Sequence, residues 1–136
     1  MHVSLLIADY ADLMDGKLGV LGGGIRYVTP HSGTPISVVA FIDAKTEQAG
    51  KKFDVALRVV SSGGDAVGET RPDGSAFRYE ITDSISVPQG QSDEDGVDLL
   101  WVGRFFGINL PAAEYRLEFL VDKKVVGRHM LEVREA

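Results

Sequence analysis

Apolar side chains along this chain recur at every second position much more often than at every third or fourth. In KKFDVALRVVSS, Phe53, Val55, Leu57 and Val59 share one parity, while Asp54, Ala56 and Arg58 take the other. SAFRYEIT sets Phe77, Tyr79 and Ile81 against Arg78 and Glu80. AEYRLEFLV sets Tyr115, Leu117, Phe119 and Val121 against Arg116, Glu118 and Leu120. A period of two puts each set on one face of a strand, whereas a helix would scatter it around the circumference. Two further segments, HVSLLIADY and VDLLWVGRFFGINL, are bulky and apolar on both parities, as a strand covered on each side requires, and TPISVVAFIDA is intermediate.

Turn chemistry separates these runs: Asp15-Gly16, TPHSGTP, SSGGD, RPDGS, PQGQSDEDG and LPAAE. The spacing predicts about eight strands with antiparallel connections, and only AKTEQAGKK offers a helical turn. The expected fold is all-β: a two-sheet antiparallel β-sandwich of immunoglobulin-like kind, one domain over residues 1–136. SSGGDAVGETRPDGS and VPQGQSDEDG read as its long loops.

The glycines of DGKLGVLGGGIRYV invite a phosphate-loop reading, and the spacing refuses it. The Gly-Lys pair of this stretch, Gly16-Lys17, is followed by Leu18, and Gly22-Gly23-Gly24 leads into Ile25, Arg26, Tyr27 and Val28. A run of β-branched and aromatic residues opens no helix, so there is no helix N-terminus to receive an anion. A hairpin accounts for the stretch instead. Asp15-Gly16 suits a type I′ turn, and the change of parity across the three glycines predicts a bulge or a crossing between sheets.

The segment SLLIADYADLMDGKLGVLGGG resembles the opening of a family of small bacterial proteins of unknown function, which begin with a strand, LADxA, DGKL, a short apolar run and GGG. The likeness continues through VVAFIDAKTEQAGKKFDVALRVVSSGGDAV and ends in INLPAAEYRLEFLVDKKVVGRHMLEV. This chain departs from the pattern in SSGGD, which lacks acidic residues before glycine, and in DKK, which lacks a turn glycine. The closing LPAAEYRLEFLVDKKVVGRHMLEV also looks like the final hairpin of bacterial immunoglobulin-like modules. Both resemblances imply a β-sandwich, and neither implies an activity.

Composition narrows the function classes. The chain has 136 residues, 44% hydrophobic and 25% charged, which is enough for one sizeable core. It has no cysteine, which removes disulfides, thiolate metal sites and cysteine nucleophiles. A formal charge of −6 disfavours a phosphate backbone, so no nucleic-acid partner is expected. The start, MHVSLLIADYADLMDG, lacks a basic leader and is interrupted by Asp9 and Asp12; the expectation is a cytoplasmic chain with no membrane association.

Candidate chemistry is sparse. His2, His31 and His129 are far apart in sequence, and His129 reads as a partly buried residue bonded to backbone, opposite Leu117 in a hairpin closed by Asp122-Lys123-Lys124. No nucleophile elbow accompanies the serines, so no enzyme and no cofactor is expected. Asp12 and Asp15 read as shaping a hairpin end. The acidic loop Asp93, Glu94, Asp95 with Asp98 is the candidate calcium site, since hard cations want clustered oxygens. Trp101, Phe105 and Phe106 are the candidate interaction residues: core packing is their default, and whichever of Phe105 and Phe106 faces outward needs a cover. The favoured function is a non-catalytic interaction or structural subunit that binds a protein partner or forms a homo-oligomer. The alternative is a calcium- or carbohydrate-binding module using the acidic loop or an aromatic sheet face.

Overall fold

A computed structural model of the chain describes residues 1–25, 27–29, 33, 35–89 and 96–135. The alternating segments form strands, and their parity decides which side chains enter the core. In chain order the first five are β1 (His2–Met14), β2 (Lys17–Gly23), β3 (Tyr27–Val28), β4 (Ile36–Ala44) and β5 (Lys52–Ser61). Then follow β6 (Gly68–Thr70), β7 (Ala76–Arg78), β8 (Glu80–Ser86), β9 (Val97–Phe105), β10 (Ala113–Val121) and β11 (Lys124–Val133). A 3₁₀ turn, Thr46–Gln48, is the only helical element among the described residues.

One sheet runs β2-β1-β4-β9 and the other β3-β11-β10-β5-β8, with β6-β7 as a small separate ribbon. Ile7, Val38 and Ile42 on the first sheet pack against Leu57, Leu117 and Phe119 on the second. Each such side chain taken fully out of water contributes about 1.5–3 kcal/mol. All-β architecture in two packed sheets is as predicted, but the described residues hold eleven strands rather than about eight.

The extra strands have physical causes. SSGGDAVGETRPDGS is a paired hairpin, not a loop: Val67 N–H donates to Val59 O at 3.3 Å, Tyr79 N–H to Val67 O at 3.0 Å, and Arg71 N–H to Ser75 O at 2.7 Å. A Cβ at Gly68 would overlap the Phe77 backbone, so this glycine lets β6 and β7 touch. Tyr79 interrupts SAFRYEIT, dividing it into β7 and β8.

At the triple glycine both predicted events occur. The N–H groups of Gly24 and Ile25 converge on Ile7 O at 2.9 and 3.1 Å, which is a bulge. The chain then crosses sheets, and Tyr27 and Val28 pair in parallel with Glu132 and Val133 of β11. Asp15 and Gly16 join β1 to β2 with φ of 51° and 74°, as a type I′ turn requires.

The closing hairpin differs from expectation at its tip. Val121 faces Lys124, so the turn is the two residues Asp122-Lys123, with φ of 47° and 69°. A register shift between Phe119 and Leu120 absorbs the difference and brings His129 opposite Leu117, as predicted. His129 is half-buried, its Nδ1–H donating to Met130 O at 2.6 Å. At the start of β10, Tyr115 Oη–H donates to Pro111 O at 2.8 Å, locking the strand to the corner before it.

Two stability predictions follow from these corners. Tyr115→Phe removes only the hydroxyl and is expected to cost about 1 kcal/mol, the net worth of one hydrogen bond. Lys123→Gly relieves a left-handed lysine and is expected to raise stability by up to about 1 kcal/mol. Urea denaturation midpoints check both, and a stabilised Tyr115→Phe or a destabilised Lys123→Gly would contradict the assigned roles.

Candidate functional site

The strand registers place every outward side chain of both sheets in rows, and the two outer faces differ in kind. On the five-stranded sheet, Glu80 faces Arg58, Arg58 faces Glu118, and Glu118 faces Arg128, an alternating charge row across β8, β5, β10 and β11. Arg58 Nη2 lies 3.0 Å from Glu118 Oε1, and Arg128 Nε lies 3.2 Å from Glu118 Oε2. Burial pushes the Glu118 carboxyl upward, but hydrogen bonds and charge from the two arginines outweigh it and hold the group below the usual glutamate range. This charge row crosses the middle of the face, while Met130 and Tyr27 stay exposed toward its β11–β3 side.

The four-stranded sheet has no such charge row across its middle. One outward row is Leu6, Val39 and Val102, and the next is Ser4, Phe41 and Leu100. Val39 is fully buried between half-buried Leu6 and Val102, while Phe41 is 41% exposed. Tyr10 and its cross-strand neighbour Leu21 extend the apolar surface at 43% and 68% exposure. None of Leu6, Phe41, Leu100 and Val102 belongs to the core cluster or packs against it.

Charge sits at the two ends of this face. At one end Arg104 lies over the Tyr10 ring at 4.5 Å, with Nη2 3.3 Å from Ala11 O and Nε 3.4 Å from Ser37 Oγ. At the other, His2, Asp43 and Asp98 form a row in which two carboxylates oppose each other across β4 and β9. Like charges in that position repel. Among the described residues neither aspartate has an ion-pair partner.

The predicted aromatics separate by parity. Trp101 and Phe105 are core residues, each 6% exposed, because their parity faces the other sheet, which is the default core packing expected of them. The Trp101 ring packs edge-on to Phe119, and its indole N–H donates to Asp83 Oδ2 at 3.0 Å, bridging the two sheets. That bond, with the Ser84 amide, holds the Asp83 carboxyl below the ordinary aspartate range. Phe106 faces outward and is 83% exposed. It stands at the end of an open groove of about 810 Å³ that runs between β8 and β9.

Of the candidate calcium ligands, Asp93, Glu94 and Asp95 lie outside the described residues, as does His31, and Asp98 is exposed near the start of β9. Among the described residues no group of three His, Asp or Glu side chains is arranged to hold a metal ion. Asp12 sits in the β1–β2 ladder opposite Gly19 and accepts the Leu13 N–H at 2.8 Å. Phe41, Tyr10 and Leu21 were not singled out from the sequence; the available signal was the two-sided apolarity of HVSLLIADY for Tyr10 and the intermediate pattern of TPISVVAFIDA for Phe41, with none for Leu21. No protein family, no curated protein and no solved structure matches the chain. No helix among the described residues is long and apolar enough to cross a membrane.

The charge row yields a pH prediction. At neutral pH Glu118→Gln is expected to cost about 2 kcal/mol, the worth of hydrogen bonds to charged partners. The folded carboxyl titrates below the unfolded one, so its contribution is complete above the ordinary glutamate pKa of about 4.3. It fades as pH falls through the lower folded-state value. Urea midpoints of wild type and variant at neutral and acidic pH measure this, and a gap that acid leaves unchanged would exclude the ion pairs as its source.

Proposed function

We propose that this chain is a non-catalytic, immunoglobulin-like interaction subunit that works through its four-stranded sheet. Strand order supports the immunoglobulin-like part. β1, β4 and β9 occupy one sheet, as strands A, B and E do, while β5, β10 and β11 occupy the other, as C, F and G do. β8 extends the second sheet beside β5, in the position of C′. Tyr115 bonding back to Pro111 at the start of β10 matches the tyrosine corner of that fold.

The observation that carries the functional reading is the contrast between the outer faces. One is crossed by the Glu80–Arg58–Glu118–Arg128 charge row, and the other presents Leu6, Phe41, Leu100 and Val102 around buried Val39. A contiguous apolar patch with charged ends is the composition of a protein–protein contact surface.

Phe41→Lys with Val102→Lys puts two charges on this face, and Thr82→Lys puts one on the opposite, polar face. Sedimentation velocity from micromolar to millimolar protein is expected to show concentration-dependent mass for wild type and Thr82→Lys, and its loss in the double variant. Unchanged far-UV circular dichroism is expected throughout. A wild type that stays monomeric across the range and binds no apolar dye beyond the double variant would sink the reading.

A further inference from the structure

We infer that β9 is a self-pairing edge: two copies of this chain join their β9 strands antiparallel about a two-fold axis through Trp101. The inference rests on the proposed interaction role of the four-stranded sheet and names its partner, a second copy.

The sheet edges carry the argument. β3 is two residues long, too short to template another strand. β2 is interrupted by Gly22 at φ +64°, where a Cβ would strike Asp9. β8 carries Glu80, Thr82, Asp83 and Ser84, polar protection of the usual kind. β9 is nine residues long, contains no proline, is apolar on both faces, and pairs only with β4 among the described residues. The open groove beside Trp101, Gly103 and Phe106 leaves room along this edge.

Charge complementarity selects the occupant and the register. Asp98 and Arg104 lie three residues either side of Trp101 on the same outer face. Antiparallel pairing centred on Trp101 therefore sets Asp98 against Arg104 of the second copy, twice, and Leu100 against Val102 of the second copy. Shifting the centre by one residue puts Asp98 or Arg104 opposite an apolar or glycine position instead. The pairing also supplies a cation to Asp98, whose one cross-strand neighbour among the described residues of the single copy is the like charge of Asp43. Arg104 gives up two long hydrogen bonds, 3.3 and 3.4 Å, and its place over the Tyr10 ring for a carboxylate, a stronger partner. The outcome is a continuous eight-stranded sheet from two four-stranded ones, with the Leu6–Val39–Val102 row running on into Leu100 and Phe41 of the second copy.

Charge reversal tests it in the full chain. Asp98→Arg alone and Arg104→Asp alone each place like charges across the axis and are expected to weaken self-association by at least about tenfold in sedimentation equilibrium. The double variant Asp98→Arg/Arg104→Asp is expected to restore it, a rescue that misfolding of a single variant cannot mimic. Phe41→Lys alone, one strand away from the axis, is expected to leave the dimer intact. If wild type dimerises but Phe41→Lys abolishes the dimer while the charge reversals leave it, the edge pairing is wrong and the sheet-face reading stands. If both single reversals dissociate the dimer and the double does not recover, the register is wrong. A wild type monomeric to millimolar concentration would overturn this pairing together with the reading it rests on.

Discussion

A sheet packed on one core can dry only one of its faces, and the two-residue period of a strand assigns each side chain to the dry face or the wet one. The whole molecule follows from how its two sheets meet that constraint. Both send alternate residues inward, where Ile7, Val38 and Ile42 meet Leu57, Leu117 and Phe119. Their remaining residues diverge. β5, β10 and β11 place Arg58, Glu118 and Arg128 side by side, so that the carboxylate, though buried, keeps charged partners on both flanks. β1, β4 and β9 place Leu6, Val39 and Val102 side by side, and nothing polar stands in that row.

This division was legible in the sequence before any pairing was known. The segments with clean alternation, around Phe53–Val59 and Tyr115–Val121, became adjacent strands of the five-stranded sheet. The two segments apolar on both parities became β1 and β9, flanking the intermediate segment, β4, in the other. Parity along a single strand records how many faces are dry, but it does not say which strand lies alongside. Trp101, Phe105 and Phe106 illustrate the limit: a strand bulky on both parities offers no inward side until its partner is known, and pairing with Ile36 and Ala40 turned Trp101 and Phe105 in. The ribbon of β6 and β7 was hidden for a different reason. Glycine and proline announce a change of direction, but the backbone bonds linking Val67 to Val59 and Tyr79 carry no compositional mark. Asp122-Lys123 was misjudged at the tip because a two-residue turn usually advertises itself with Asn-Gly or Asp-Gly.

Glycine serves packing as well as turning. A Cβ at Gly103 would collide with the Trp101 ring, so this strand keeps an open position for the indole beside it. The indole then reaches Asp83 on β8, and one side-chain bond links the edge strand of one sheet to the edge strand of the other. β9 is therefore anchored on three sides, by β4, by the core through Phe105, and by Asp83 through Trp101. A strand held in that way can present its fourth side as a fixed template without fraying, and a pre-organised edge loses little conformational entropy on pairing.

The two outer faces also set how the molecule meets others. Nothing in the sandwich architecture requires β4 to carry Phe41 and Val39 outward, since β5 fills the equivalent outward positions with Asp54, Ala56 and Arg58 and folds beside β10. Replacing Leu6, Phe41, Leu100 and Val102 by polar residues would leave the inward core untouched, and apolar area that stays in water gains none of the roughly 25 cal/mol per Å² that burial supplies. Folding alone therefore does not call for an apolar surface there. Burial against a second protein surface turns the same side chains into binding energy, and the charged ends of the face, Arg104 on one side and Asp43 with Asp98 on the other, give that burial a direction.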